Sequence, residues 1–439
     1  MIEKCDLPKD FQWVDIENYD FHKALDEVLN GDGNLFIQAK AGCGKSLIIK
    51  IAAALKENLV VLSTTGTTAI QLSSEGIPAR TIHSFFQFRP SSIIDAADVK
   101  KWWGETVKVA QKTETLIIDE VSMLNAQMFD AIITKLKMHR EDGSLPRLIL
   151  FGDVLQLPPV IEKGLVTTFF NNTYGGKVMF FSSTSFQYLD FQIMTLNQSY
   201  RQVDEEFADN IYSVGLGSID QAVLDYFNSR MMSLPKFEET HDKYIYMATT
   251  NSLVNKINKT YIDNLFSDKW FTYEARKSEN FPPKLIEDEI MIKQGAQVMI
   301  TRNNYAAGYT NGMVGKCIDL DENNVVVETE TGKIVTVGRS HYEISKPYLD
   351  ENKRIKFKVD SWAEQIDCKV CRAMTVHKSQ GKTFDNAYLA PVGWTPPGII
   401  YVGLSRLTSL NGLGISRPLT MEDVKVNQEA MDFLLKNLH

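Results

Sequence analysis

Lys45 and Ser46 close the octet Ala39-Lys40-Ala41-Gly42-Cys43-Gly44-Lys45-Ser46, whose residue types and spacing suit the binding of a nucleoside triphosphate. The octet follows the apolar run Asn34–Gln38 and opens into Leu47–Leu55. Strand, glycine-rich loop and helix in that order let successive backbone N–H groups form a nest for phosphate oxygens, and the helix N-terminus adds positive partial charge. Lys45 would reach the β- and γ-phosphates and the Ser46 hydroxyl would hold Mg²⁺. Ala41, Gly42, Cys43, Gly44 and Leu47 complete the expected cradle. Ala39 stands where the pattern G-x-x-x-x-G-K-[ST] has its first glycine. An alanine there restricts φ and is expected to displace the loop slightly. A second Gly-Lys-Thr, Gly381-Lys382-Thr383, has no glycine loop before it and is read as unrelated to phosphate cradling.

Such a loop needs a carboxylate for the metal and another to polarise the attacking water. Leu116-Ile-Ile-Asp119-Glu120 ends an apolar strand in both, with Asp119 suited to the metal and Glu120 to the water. Gln156 projects from the loop after Leu148–Asp153, where a neutral donor and acceptor can sense the γ-phosphate. Arg201 and Arg406 are candidate arginine fingers, because a guanidinium fork matches phosphate oxygens. Both are expected outside the first α/β unit, so that nucleotide binding must draw two lobes together to engage them.

The elements that position these residues follow from hydrophobic periodicity. Leu35–Gln38, Leu59–Ser63, Leu116–Asp119, Leu148–Phe151 and Phe191–Leu196 read as strands alternating with helical patterns such as Gln127–His139, the mark of a parallel α/β sheet. A second α/β set has strands at Tyr244–Ala248 and Ala387–Ala390 and helices at Ser252–Leu265 and Ile399–Arg406. Between them Gln297–Thr301, Val325–Thr329 and Lys333–Val337 are β-branched runs split by turns at Asn311-Gly312, Glu322–Asn324 and Thr331-Gly332. Glu274–Glu289, with Pro282-Pro283, reads as a connecting loop. The expected domains are therefore an N-terminal lobe over 1–200, a second lobe over 201–294 and 366–439, and a small β-rich insertion over 295–365.

At 439 residues, 44% hydrophobic and 23% charged, the composition is that of a globular protein with several domains. No run is long enough to span a membrane, and the N-terminus lacks a signal core, so a cytoplasmic location is expected, nucleoid-associated in a bacterium. The net charge of −8 argues against a large non-specific nucleic-acid surface. A local basic stretch remains in Lys369, Arg372, Lys378 and Lys382. Five cysteines fit a reducing compartment, and Cys368-Lys-Val-Cys371 reads as core packing, since no second pair exists to complete a zinc site.

Four motifs occur in order: Asp119-Glu-Val-Ser-Met-Leu124, Gly152-Asp-Val-Leu-Gln-Leu-Pro-Pro159, Ala373-Met-Thr-Val-His-Lys-Ser-Gln-Gly-Lys-Thr383 and Tyr401-Val-Gly-Leu-Ser-Arg406. Together they resemble superfamily 1B DNA helicases of the petite-integration-frequency type, kin to RecD-like helicases. The resemblance runs from about Leu35 to Leu413. It implies two RecA-like lobes with an SH3-like insertion, and ATP and Mg²⁺ as ligands. It also implies 5′-to-3′ movement on single-stranded DNA with separation of duplexes or G-quadruplexes, in repair, recombination or telomere maintenance. The implied partners are single strands and their junctions with duplex; no obligate protein partner or membrane is implied. Thr64, Thr65, Gly66, His83, Ser84 and Phe85 match the family's motifs Ia and Ib, and Thr375, His377, Lys378 and Ser379 its motif V, all on the DNA path. Gln380 and Gly381 join the expected nucleotide-binding set by the same resemblance. Hydroxyls and Lys378 suit phosphates, and His83 and Phe85 suit sugar or base. The chain departs from the family at Ala39 and Cys43, at Gln198, and at Asn18–Ala24, where an adenine-reading glutamine is missing. An RNA helicase or a binding module without turnover would share much of this pattern. A 2′-OH preference would reveal the first, and absent DNA-stimulated ATPase activity the second.

Overall fold

The computed structural model describes residues 18–437, apart from 66–67, 70–71, 73–76, 78, 90–92, 203, 234–244, 280, 282–285, 303, 305–306, 310–312, 330–331, 350–354 and 392–394. Gly66, Tyr244, Pro282-Pro283, Asn311-Gly312 and Thr331 thus lie outside the described residues. The chain groups into two compact units, Met1–Thr249 with Ser379–His439, and Thr250–Lys378.

In the first unit six parallel strands form one sheet: β1 (Asn34–Ala39), β2 (Leu59–Ser63), β3 (Ala79–Thr81), β4 (Thr115–Asp119), β5 (Arg147–Gly152) and β6 (Phe191–Leu196). Their order is β3-β2-β4-β5-β1-β6. The five apolar runs are all strands; β3 is too short and polar to stand out. β4 is buried at every position, as a parallel strand covered on both faces must be. In open α/β sheets ligands bind beyond the carboxyl ends of strands, and Lys45, Glu120, Gln156 and Arg201 all follow such ends.

Ala39 is the last residue of β1 and pairs with Leu196 of β6. Its backbone is extended, so glycine's freedom is not needed there, and the loop displacement expected from Ala39 is corrected. Helix Lys45–Leu55 buries Ile48, Ile49, Ile51 and Ala52 on the core. Helix Ala126–His139 is capped by Asn125, whose Oδ1 accepts from Met128 N. Also in this unit, Ala387–Ala390 pairs in parallel with Ile245–Ala248 and Leu413–Ile415. Helix Ile399–Leu404 ends short of the expected Arg406, leaving that arginine beyond its last turn.

The second unit is largely antiparallel. Ile334–Val337, Val325–Thr329, Val314–Leu320, Gln297–Ile300 and Cys368–Val370 form one sheet in that order, over a core that includes Ile292, Val298, Cys317, Val327 and Cys368. Burial pushes the Cys368 thiol well above its ordinary pKa, as core packing requires. The connecting loop expected over Glu274–Glu289 does join two strands, but Arg276–Lys277 within it is itself strand. Trp270–Glu274 pairs with Glu289–Lys293, and Arg276–Lys277 pairs with Ala363 and Glu364. Alternation around the buried Tyr273 drives this pairing. The long hairpin of Arg339–Leu349 with Ile355–Ile366 was not expected either. The fold class is α/β with two parallel sheets and an antiparallel β-rich part, as expected.

Candidate active site

Gly42 and Gly44 have φ of +82° and +81°, the left-handed backbone that turns loop N–H groups inward. Gly44 is the N-cap of helix Lys45–Leu55 and supplies no side-chain cap, so the helix start keeps donors for an anion. A Cβ on Gly42 would lie 2.5 Å from that of Arg201. The segment after β6 makes this close approach: Tyr200 N donates to Gly42 O at 2.8 Å, and Ser199 Oγ to Ala41 O at 3.0 Å. Arg201 is therefore delivered to the loop because β6 neighbours β1. Arg201 and Arg406, both outside residues 1–200, fall in the compact unit that holds Lys45 together with the second parallel sheet.

A cleft results, lined by Ala41, Gly42, Lys45, Ser46, Asp119, Glu120, Gln156, Arg201, Gly381 and Arg406 among the expected residues. Gly381, part of the Gly-Lys-Thr read as unrelated to phosphate and placed by resemblance in the nucleotide-binding set, also lines the cleft. Ala39, Lys40, Thr68 and Leu72 also line the cleft and were not singled out as ligand contacts. Cys43 and Leu47 face the core instead, so any part they play in the cradle is through the backbone. Burial pushes the Cys43 thiol up to about 12. Gln380 is buried, with both amide side-chain atoms unpartnered among the described residues.

Lys45 Nζ lies 2.5 Å from Glu120 Oε1 and 3.1 Å from Asp119 Oδ1. Burial opposes its charge, but the two carboxylates outweigh burial and raise its pKa. Burial likewise opposes the Glu120 carboxylate; Lys45, then Arg406 and Arg201, overcome it and hold its pKa below the ordinary value. Asp119 goes the other way, raised by burial and also by Glu120 beside it. Arg201 is brought down to about 9 by burial and by Arg406. Arg201 Nη1 donates to Ser405 O at 2.9 Å and Arg406 Nη2 to Ser405 Oγ at 2.9 Å, so neither guanidinium has these bonds to an anion.

The donor set fits a magnesium nucleotide. Ser46 and Asp119 offer the hard oxygens Mg²⁺ prefers. Lys45, Arg201, Arg406 and the helix start offer charge to phosphates. Glu120 Oε2 and Gln156 Oε1 are buried without a partner among the described residues. Such an orphan costs about 1–3 kcal/mol, a cost that a ligand or its attacking water would relieve.

The link between Gln156 and Arg406 was not legible in the sequence. Asp153 is fully buried and accepts from Tyr401 OH at 2.6 Å, Gln38 Nε2 at 2.9 Å and Gln156 Nε2 at 3.3 Å. Burial raises its pKa against these bonds. Gly398, with φ +77°, begins the helix carrying Tyr401; a Cβ there would meet Leu155 O at 2.9 Å. Asp153 and Tyr401 stand inside motifs quoted above, yet their pairing has no sequence signal.

The expected DNA-contacting residues divide. Thr64 and Thr65 follow β2 and are half-buried; Thr64 Oγ1 donates to Glu120 O at 2.9 Å. On helix Ile82–Phe86, His83 is half-buried and Ser84 exposed. Phe85 is corrected: it packs edge-on against Phe86 and Trp102, at 5.1 and 5.7 Å, and offers no face to a base. In the second unit Lys378 is exposed and His377 half-buried, while Thr375 is buried and its Oγ1 accepts from Lys378 N at 3.4 Å. Ser379 has no exposed surface, which corrects its expected contact with DNA. Asn18, in the segment lacking the glutamine, caps helix Tyr19–Asn30 and donates Nδ2 to Tyr200 OH at 3.0 Å.

The chain is similar in sequence and in fold to known helicases. The family model described as PIF1-like helicase matches residues 17–224. The ATP-dependent DNA helicase Pif1 of Campylobacter jejuni is 28% identical over 417 residues, covering 89% of this chain and 90% of the relative. Its counterpart from Bdellovibrio bacteriovorus is 27% identical over 409 residues, covering 89% and 85%. The crystal structure of a Bacteroides Pif1 helicase in complex with ADP-AlF3 and ssDNA superposes with a TM-score of 0.83 at 26% identity, over 95% of this chain and 96% of that one.

Proposed function

We infer that this chain, a member of the PIF1-like helicase family, is an ATP-driven motor that moves 5′ to 3′ along single-stranded DNA and separates strands ahead of it. The observation that carries the reading is the cleft itself: four cations, two carboxylates and two unpartnered buried oxygens gathered on a glycine loop at a helix start. In this reading Lys45 leaves the carboxylates for the β- and γ-phosphates. Ser46 and Asp119 hold Mg²⁺, which would neutralise phosphate charge. Glu120, kept ionised by its cationic neighbours, orients the attacking water through Oε2 and takes its proton. Gln156 senses the γ-phosphate through Oε1. Arg201 and Arg406 stabilise the charge that spreads over the transferred phosphoryl group, a role worth about 10³–10⁵ in rate where one arginine supplies it.

Thr65, His83 and Ser84 on the first unit, and His377 and Lys378 on the second, are the candidate DNA contacts. Duplex DNA, with G-quadruplexes as a structured alternative, is the candidate load. Opening one base-pair step costs about 1.4 kcal/mol of stacking, well within reach of a nucleotide-driven step.

Unwinding of 5′-tailed and 3′-tailed duplexes tests the reading. ATP should drive separation of the 5′-tailed duplex, and Lys45→Ala should abolish it while much of the DNA binding remains. Preference for the 3′ tail would reverse the direction. No separation of either by the wild type would sink the motor. GTP is expected to support the reaction as well as ATP, because Asn18 is committed to a helix cap and to Tyr200.

A further inference from the structure

Ser63, the last residue of β2, pairs with Asp119 in the parallel register of β2 and β4. That register sets Thr64 beside Glu120. Thr64 Oγ1 donates to Glu120 O at 2.9 Å, and Thr64 N to Asp119 O at 3.4 Å. Glu120 has φ 56° and ψ 42°, and is one of three non-glycine residues with positive φ among the described residues. An L-residue keeps that conformation where its surroundings hold it, and such residues cluster at functional sites. The backbone dihedrals that orient the Glu120 carbonyl also set the direction of its side chain. Met123 N reaches the same carbonyl at 3.3 Å from within the following turn. Thr64 reaches it from the neighbouring strand's loop.

A threonine hydroxyl has one hydrogen to donate, and a phosphodiester's anionic oxygens only accept. Thr64 Oγ1 therefore cannot hold Glu120 O and donate to a DNA phosphate at once. We propose that Thr64 is a positioning residue: its hydroxyl holds the left-handed Glu120 backbone so that the unpartnered Oε2 faces the attacking water, and it couples the loop Ser63–Thr65 to that carboxylate. This rests on the nucleotide reading above and moves Thr64 from DNA contact to hydrolysis. The loop's engagement by DNA would then be felt at Glu120 through one hydrogen bond.

The test compares Thr64→Val, which keeps the shape and loses the hydroxyl, with Thr64→Ser, which keeps the hydroxyl. ATP hydrolysis is measured without DNA and at saturating oligothymidylate, and DNA affinity by fluorescence anisotropy. Thr64→Val should lose roughly 5- to 10-fold in DNA-stimulated kcat, about what one hydrogen bond is worth, with KM for ATP and DNA affinity within about 2-fold of wild type. Thr64→Ser should restore the rate. Rates are taken per folded molecule within each preparation, so a less stable variant still reports. Weakened DNA binding with unchanged kcat at saturation would make Thr64 a DNA contact and overturn the proposal, as would an unchanged DNA-stimulated kcat per folded molecule in Thr64→Val. A wild type without ATP hydrolysis would instead remove the nucleotide reading itself.

Discussion

Lys45 and Lys135 are both drawn into the interior of the same α/β unit, and opposite chemistry holds them. Lys135 Nζ donates to Phe86 O and Asp98 O, each at 2.6 Å, with the rings of Phe88 and Trp102 at 4.7 and 5.6 Å. Its partners are carbonyls and aromatic faces, so burial dominates and brings its pKa down to about 8. Lys45 faces two carboxylates that raise its pKa, beside two arginines and two orphaned oxygens. Lys135 has bonds within the fold, tying Ile82–Phe86 and Ala96–Lys100 to helix Ala126–His139. Lys45 sits among groups whose bonding is incomplete. A buried charge whose partners are all protein is structural; one set among unspent polar atoms is prepared for a ligand.

Substitution should separate the two roles. Lys45→Ala should cut DNA-stimulated ATP turnover by roughly 10³-fold, the upper range for losing one electrostatic donor at a transition state, with the fold retained by circular dichroism. A turnover loss below about 10-fold would break the contrast from the catalytic side. Lys135→Met should do the reverse, orphaning two carbonyls at about 1–3 kcal/mol each while leaving turnover per folded molecule near wild type. Urea denaturation gives the first quantity and active-site-normalised rates the second.

The Lys135 site also carries a pH signature. Its folded pKa of about 8 lies below the ordinary 10.5, so between those values the unfolded chain binds the proton more. The lysine's contribution to stability therefore rises as pH rises through that window, by roughly 3 kcal/mol in full. Wild type measured against Lys135→Met should gain stability from pH 8 to 10; a loss over that range would mean that the ammonium is better held than its surroundings indicate.

The smallest expected effect is at Ala39. Ala39→Gly restores the motif glycine but places it at the end of a strand. It should leave KM for ATP within about 2-fold and destabilise the protein by about 0.5–1 kcal/mol, the entropic cost of glycine in a regular element. A clear gain in ATP affinity would show that the alanine does disturb the loop.

The cleft was legible where its chemistry is local. Gly-Lys-Ser between an apolar run and a helical pattern, and Asp119-Glu120 at a strand end, declare themselves in a few residues. Features set by distant packing did not. Asp153 and Tyr401 meet across 248 positions. Phe85 has the type of a base-stacking ring, but Trp102 and Phe86 pack against it. Arg201 is close in space to Gly42 because β6 lies beside β1, and strand order is not written in local periodicity. In the second unit, β-branched runs marked three sheet strands, whereas Trp270–Glu274 and its partner were hidden by an acidic, proline-containing stretch between them.

The most direct test is ATP turnover by wild type and Glu120→Gln, with and without single-stranded DNA, beside binding of a fluorescent ATP analogue. Glutamine keeps the shape and removes the base. The expected result is DNA-stimulated turnover in the wild type and a loss of 10²-fold or more in Glu120→Gln, within the range for general-base catalysis, with analogue binding retained. Equal turnover in the two proteins would contradict the assignment of the cleft's unspent carboxylate oxygen to the attacking water.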